Sequence, residues 1–243
     1  MVNYNLLEKR YTCVALKFFK RMKKKHNVIC LLVTGSYFKK RLTKKSDLDI
    51  FLIADKSCSL REKGVMIIDG IKVSYFLNPY WKILELLNSE KAKLKRPTAE
   101  FVYFSDCLIG KEEGHNLKKI AKETIDSSTP KIASKEVLYL GWKLYDKLGV
   151  FKRKDYERFN KEYLKFDLFD FSINTFFLIK RLYKPNAKYV LKRIKIIDNL
   201  FYNKVKKFLE DKSDSNLINL TRYLLRLLNF KSENYFRRIK AKD

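Results

Sequence analysis

The chain has 243 residues, 46% of them apolar, which is long enough for one large domain or two modest ones around a packed core. Its 54 Lys and Arg against 27 Asp and Glu give a formal net charge of +27; that charge would draw RNA, DNA or nucleoside triphosphates, and it equally describes lysine-rich solvated helix faces. Four scattered cysteines and two histidines offer no zinc or disulfide framework, so any metal is expected to sit among oxygen ligands.

Residues 5–26 repeat apolar side chains at Leu6, Leu7, Tyr11, Val14, Ala15, Phe18, Phe19 and Met22, the spacing of an amphipathic helix with a basic outer face. The start carries charges inside its apolar pattern and no small-residue cleavage site, so it does not read as a signal peptide. NVICLLVTGS then reads as a buried strand ending in a Gly-Ser turn, and DLDIFLIADK as the next strand. In GVMIIDGIKVSYFL two apolar runs flank Asp69-Gly70, a strong hairpin signal. A helix is expected from about Asn78, with Pro79 in its first turn; EFVYFSDCLIG reads as another strand or extended segment, and NLKKIAKETI as a short helix. The turn formers of residues 126–131 suggest a linker.

Beyond it the pattern is helical throughout: SKEVLYLGWKLYDKL, DYERFNKEYLKFDLFDFSINTFFLIKRLY, AKYVLKRIKIIDNLFYNKVKKFLED and NLINLTRYLLRLLNF. Asp167 and Asp170 break the most apolar of these, so none spans a membrane, and a cytoplasmic protein with no membrane association is expected. The expected fold class is α/β (α+β), a mixed sheet with flanking helices over residues 1–126, followed by an all-α domain over residues 127–243.

Chemistry concentrates in VTGSYFKKRLTKKSDLDIFLI, residues 33–53. Asp47 and Asp49 are two apart on a predicted strand, so their carboxylates project from one face about 7 Å apart. Such a pair suits a hard divalent ion such as Mg²⁺, which keeps positions for water and substrate phosphates. Gly35 lets backbone approach a phosphate without a Cβ, and the Ser36 hydroxyl with nearby N–H groups can bind phosphate oxygens. The lysines of residues 39–45 would bring positive charge to the pocket edge or form a solvated face. Tyr75, Phe76, Tyr80 and Trp81 would stack a base or pack the core.

Thr34-Gly35-Ser36 followed by Asp47-Leu48-Asp49 resembles the signature of the DNA polymerase beta-like nucleotidyltransferase superfamily: a hydrophobic-Gly-Ser turn, a helix-forming spacer, then Asp-x-Asp. DGIKVSYFLNPYWKI is similar to that superfamily's hairpin and following helix. RPTAEFVYFSDCLIGKEEGHNLKKIAKE resembles the segment closing the catalytic domain in kanamycin- and streptomycin-type antibiotic nucleotidyltransferases and their relatives. The resemblance implies Mg²⁺-dependent transfer of a nucleoside monophosphate from ATP or another nucleoside triphosphate to an acceptor hydroxyl. In that scheme Asp47 and Asp49 are the catalytic metal ligands, and Gly35 and Ser36 bind the nucleotide. Likeness of IKRLYKPNAKYVLKRI to a further motif of those relatives would bring Lys188 to the phosphates, with Tyr189 nearby.

The superfamily places a third carboxylate where this chain has Ser74. Asp106 or Glu100 would substitute for it, or one metal would serve with a base from elsewhere, or the protein would be a catalytically impaired nucleotide- or RNA-binding regulator. The acceptor, whether small molecule, RNA or protein, is not specified by the residues. Asp167 and Asp170 are the local acidic cluster that a cationic acceptor would need.

Overall fold

The structure is a computed structural model describing residues 4–129, 131 and 133–231. The chain divides into two compact units, Met1–Ser127 and Ser128–Asp243. Pro130, in the expected linker, lies outside the described residues. Among the described residues no helix is long and apolar enough to cross a membrane.

The first unit opens with α1 (Tyr4–Lys23), which buries Leu7, Tyr11, Val14, Ala15, Phe18, Phe19 and Met22 along one stripe and ends on Lys20, Arg21 and Lys23, where cations favour the helix dipole. Then come β1 (Val28–Thr34), β2 (Leu48–Ala54), β3 (Glu62–Ile68), β4 (Ile71–Pro79), α2 (Tyr80–Glu90), α3 (Pro97–Tyr103), β5 (Asp106–Ile109) and α4 (Lys111–Asp126). The strands form one sheet in the order β3-β4-β2-β1-β5, with β2 and β4 parallel and the other neighbours antiparallel. Asp69 and Gly70 both have positive φ, 50° and 74°, as the expected tight hairpin turn requires.

Strand alternation sends side chains to two cores. Leu48, Ile50 and Leu52 of β2 join Val73, Tyr75 and Leu77 of β4 and the stripe of α1. Phe51 and Ile53 go the other way, with Cys30 and Leu32 of β1 and residues of α2, α3 and α4. Phe18 is fully buried with its ring centroid 4.9 Å from that of Tyr75, so truncating it to Ala would cost about 3–5 kcal/mol.

Two element readings in this unit change. Residues 100–103 are helical, and only Asp106–Ile109 is strand. Pro97 opens α3, and the buried Glu90 carboxylate accepts from the N–H groups of Thr98 (3.0 Å) and Ala99 (2.9 Å), a cap brought from α2 that periodicity does not reveal. The helix expected from Asn78 begins at Tyr80, since β4 runs on through Asn78 and Pro79 beside Ile53 and Ala54.

The second unit is all-helical: α5 (Ser134–Lys152), α6 (Arg158–Ile179), α7 (Ala187–Ile197), α8 (Asn199–Asp211) and α9 (Asp214–Leu227). The continuous helix expected over residues 187–211 breaks at Asp198, which caps α8 by accepting from Phe201 N–H at 2.9 Å. The carboxylate also receives Tyr223 Oη at 2.9 Å and lies 3.2 Å from Lys180 Nζ. Asp167 pairs with Lys147, and Asp170 with Lys184 at 3.0 Å, so these two aspartates do not make the acidic patch considered for them.

Candidate active site

The register of the sheet places Thr34 of β1 beside Asp49 of β2, and Asp49 beside Ser74 of β4. Since Leu48 and Ile50 enter the α1 core, Asp49 projects to the opposite face, the one carrying Phe51 and Ile53 deeper along the strand. Asp47 immediately precedes β2 on that same side, and its Oδ2 lies 3.3 Å from Lys72 Nζ of β4. Asp47 is exposed and Asp49 partly so. Phe51, Phe76 and Phe101 cluster below this row in tilted and edge-on contacts, with centroids 5.1–6.3 Å apart.

Gly35 turns the chain out of β1 with φ +69°, a left-handed conformation that glycine adopts without strain. A Cβ there would stand 2.5 Å from Asp49 Oδ2, so the carboxylate rests directly on the glycine. The Gly-Ser turn and the acidic strand are thereby one structure. After Gly35 the spacer makes a single helical turn: Arg41 N–H donates to Ser36 O (2.9 Å) and Lys40 N–H to Tyr37 O (3.1 Å), with Lys40 left-handed at φ 53°. Thr34 Oγ1 donates to the Phe104 carbonyl just after α3, which ties the end of β1 to that helix.

The rest of the spacer is fixed from α1. Tyr11, 1% exposed, places its hydroxyl 3.0 Å from Thr43 O and 2.7 Å from Ser46 O, one residue before Asp47. Burial pushes the Tyr11 hydroxyl pKa up, and it remains a donor to these carbonyls. Tyr37 is buried and its hydroxyl lies 2.6 Å from Thr12 Oγ1. Lys40, from the basic run, pairs with Glu8 and lies 3.9 Å from Asp106.

The substitutes considered for the third acid fare differently. Asp106 faces the α1 side, by Lys40, while its neighbour Cys107 packs with the α2–α4 core, so it is on the wrong face of the sheet to join Asp49. Glu100 lies in α3, one turn before Phe104, to which its carbonyl is bonded. Asp69, not one of those two, pairs with Lys17 at 2.6 Å at the far end of the hairpin. Among the described residues no group of three or more His, Cys, Asp or Glu side chains is gathered as a metal cage. Asp47 and Asp49 carry hard oxygen donors of the kind a divalent ion completed by water and phosphate oxygens would take.

Ser36 is half-exposed in the turn. Lys188 is an exposed residue in the first turn of α7, its N–H bonded to Asn186 Oδ1 at 3.3 Å; it belongs to the second unit. Of the aromatics, Tyr75 points into the α1 core and donates to Glu62, which pushes its pKa up to about 12. Trp81 is exposed and donates to Cys58 O at 3.2 Å. Tyr80 is partly buried against the α2–α4 core. The residues that sequence reasoning missed are Tyr11 and Lys72. Lys72 was the more accessible, because it stands two before Ser74 on a strand and so shares its face.

A family model described as a nucleotidyltransferase domain matches residues 15–212. Among solved structures, a nucleotidyltransferase-like protein from Exiguobacterium sibiricum 255-15 aligns at 13% identity with a TM-score of 0.47, covering 90% of this chain and 74% of that one. Among curated proteins nothing matches.

Proposed function

This chain belongs to the nucleotidyltransferase domain family, and from that premise we propose that it transfers a nucleoside monophosphate from a nucleoside triphosphate, ATP in the first instance, to an acceptor hydroxyl. The observation that carries the reading is the seating of the Asp49 carboxylate on Gly35, which joins the turn and the acidic strand into one structure. Asp47 and Asp49 would hold Mg²⁺, which when bound polarises phosphoryl oxygens and offsets the triphosphate charge. Gly35 and Ser36 would bind the β- and γ-phosphates through backbone N–H groups and the hydroxyl.

In the reaction the acceptor oxygen forms a bond to the α-phosphorus as the bond from that phosphorus to the bridging oxygen breaks. Pyrophosphate leaves with the bonding electrons, and the acceptor's proton passes to solvent. The chain's own part is positional: it fixes the triphosphate against the strand ends and holds the carboxylates where charge develops. Within the family, the likeness of residues 96–123 to the closing segment of the kanamycin- and streptomycin-type transferases supports a kinship with them.

The test is pyrophosphate release from ATP and other triphosphates with small hydroxyl compounds, RNA and protein as acceptors. Asp47→Asn should lose at least 10²-fold relative to wild type, as expected when an interaction specific to the transition state is removed (on the order of 2.7 kcal/mol or more). Equal rates for the two proteins would refute the reading. A second reading, a nucleotide- or RNA-binding regulator of the same fold, is favoured by Ser74 standing beside Asp49 where a carboxylate would complete the site. It predicts nucleotide binding without turnover, and a gain of turnover in Ser74→Asp.

A further inference from the structure

We propose that Lys72 is a built-in cation of this site, so that the carboxylate pair takes one divalent ion where two-metal sites take two; this rests on the nucleotidyl-transfer reading. The parallel pairing of β2 with β4 sets Leu48 beside Val73 and Asp49 beside Ser74, which brings Asp47 alongside Lys72. The contact follows: Lys72 Nζ is 3.3 Å from Asp47 Oδ2. Ile71, Val73 and Tyr75 enter the α1 core, so Lys72 and Ser74 share the face of the two aspartates.

No acid from the neighbouring strand reinforces the pair. On β3 the residue beside Ser74 is Val65 and the one beside Lys72 is Ile67, both aliphatic and exposed. Asp106 is across the sheet with Lys40. Two divalent ions about 3.5–4 Å apart need anionic ligands around both. Here the two carboxylates share their surroundings with an ammonium and a neutral hydroxyl.

Lys72 therefore offsets part of the negative charge of Asp47 at Oδ2, and the charge left on the pair suits one divalent ion better than two. Its positive charge stands on the Ser74 side, next to the aliphatic pair on β3. That side suits an acceptor carrying a neutral or anionic group beside its hydroxyl, and it repels a polycation.

The experiment counts Mn²⁺ bound per chain, by electron paramagnetic resonance and calorimetry, with a triphosphate analogue whose α,β bridge is methylene. Wild type and Lys72→Arg should each bind one ion with similar affinity. Lys72→Met should bind it about 3- to 30-fold more tightly, the effect of removing one charge beside a divalent site in largely aqueous surroundings. Lys72→Met combined with Ser74→Asp should bind two. Lys72 is exposed, so thermal melts should show these variants folded. Two ions in wild type would overturn the inference while leaving nucleotidyl transfer intact, as would a Lys72→Met affinity equal to or weaker than wild type. No Mn²⁺ bound by wild type, together with no pyrophosphate release, would overturn both.

Discussion

Replacing Gly35 by Ala should disable the site far more than it destabilises the protein, and Gly70 supplies the control. Both glycines are left-handed, at φ +69° and +74°, so alanine at either position should cost about 1–2 kcal/mol of backbone strain. In a unit of this size that corresponds to a fall in melting temperature of about 3–6 °C. The environments differ completely. The added methyl at position 70 meets nothing within 4 Å, whereas at position 35 it stands 2.5 Å from Asp49 Oδ2. Ordinary separation is about 3.5 Å, so the carboxylate must retreat by roughly 1 Å. A displacement of that size in a reacting constellation costs about 10²-fold in rate. Parallel thermal melts and pyrophosphate-release assays on Gly35→Ala and Gly70→Ala should therefore show similar melting shifts, with activity lost in Gly35→Ala alone. Turnover of Gly35→Ala within twofold of Gly70→Ala would refute the idea that the glycine seats a functional carboxylate.

Tyr11→Phe removes the hydroxyl lying between the carbonyls of Thr43 and Ser46; it should cost about 1–2 kcal/mol in chemical denaturation and lower turnover severalfold, because those carbonyls lead directly into Asp47. A variant with wild-type stability would show that the bond contributes nothing. Asp198→Asn keeps a good N-cap side chain and so isolates the charge. Burial alone would raise the Asp198 carboxyl, but the Phe201 N–H, the Tyr223 hydroxyl and Lys180 together hold it below its ordinary range. With the folded value lowered, the carboxylate's contribution is full above the unfolded value of about 3.9 and is lost as pH falls through the folded one. The stability gap between wild type and Asp198→Asn should thus be constant from pH 7 to about 5 and close below about 4; a gap that widened in acid would contradict this assignment.

What could be read from the sequence was what is local in the chain. Asp69-Gly70 announces its hairpin because two successive positive φ angles favour those residue types, and the apolar runs of β1 and β2 are bounded by their own turn formers. The basic spacer hid its structure: Lys40 adopts the left-handed position closing the helical turn and pairs with Glu8 of α1, a role its charge run did not suggest. The α3 helix was misread because its N-terminal cap, Glu90, comes from another helix. Residues 187–211 keep an apolar rhythm through Asp198, so the break is visible only when the carboxylate is seen bonded to Phe201, Tyr223 and Lys180. The face of Lys72 follows from its spacing to Ser74, but its contact with Asp47 needs the parallel register of β2 on β4, a pairing between strands separated by β3.

The most direct measurement is a crystal structure with Mn²⁺ and a non-hydrolysable nucleoside triphosphate, read by anomalous scattering. A manganese peak is expected within about 2.0–2.2 Å of carboxylate oxygens of both Asp47 and Asp49, with the triphosphate tail at Gly35 and Ser36. A metal-bound triphosphate located away from those two carboxylates would contradict that expectation.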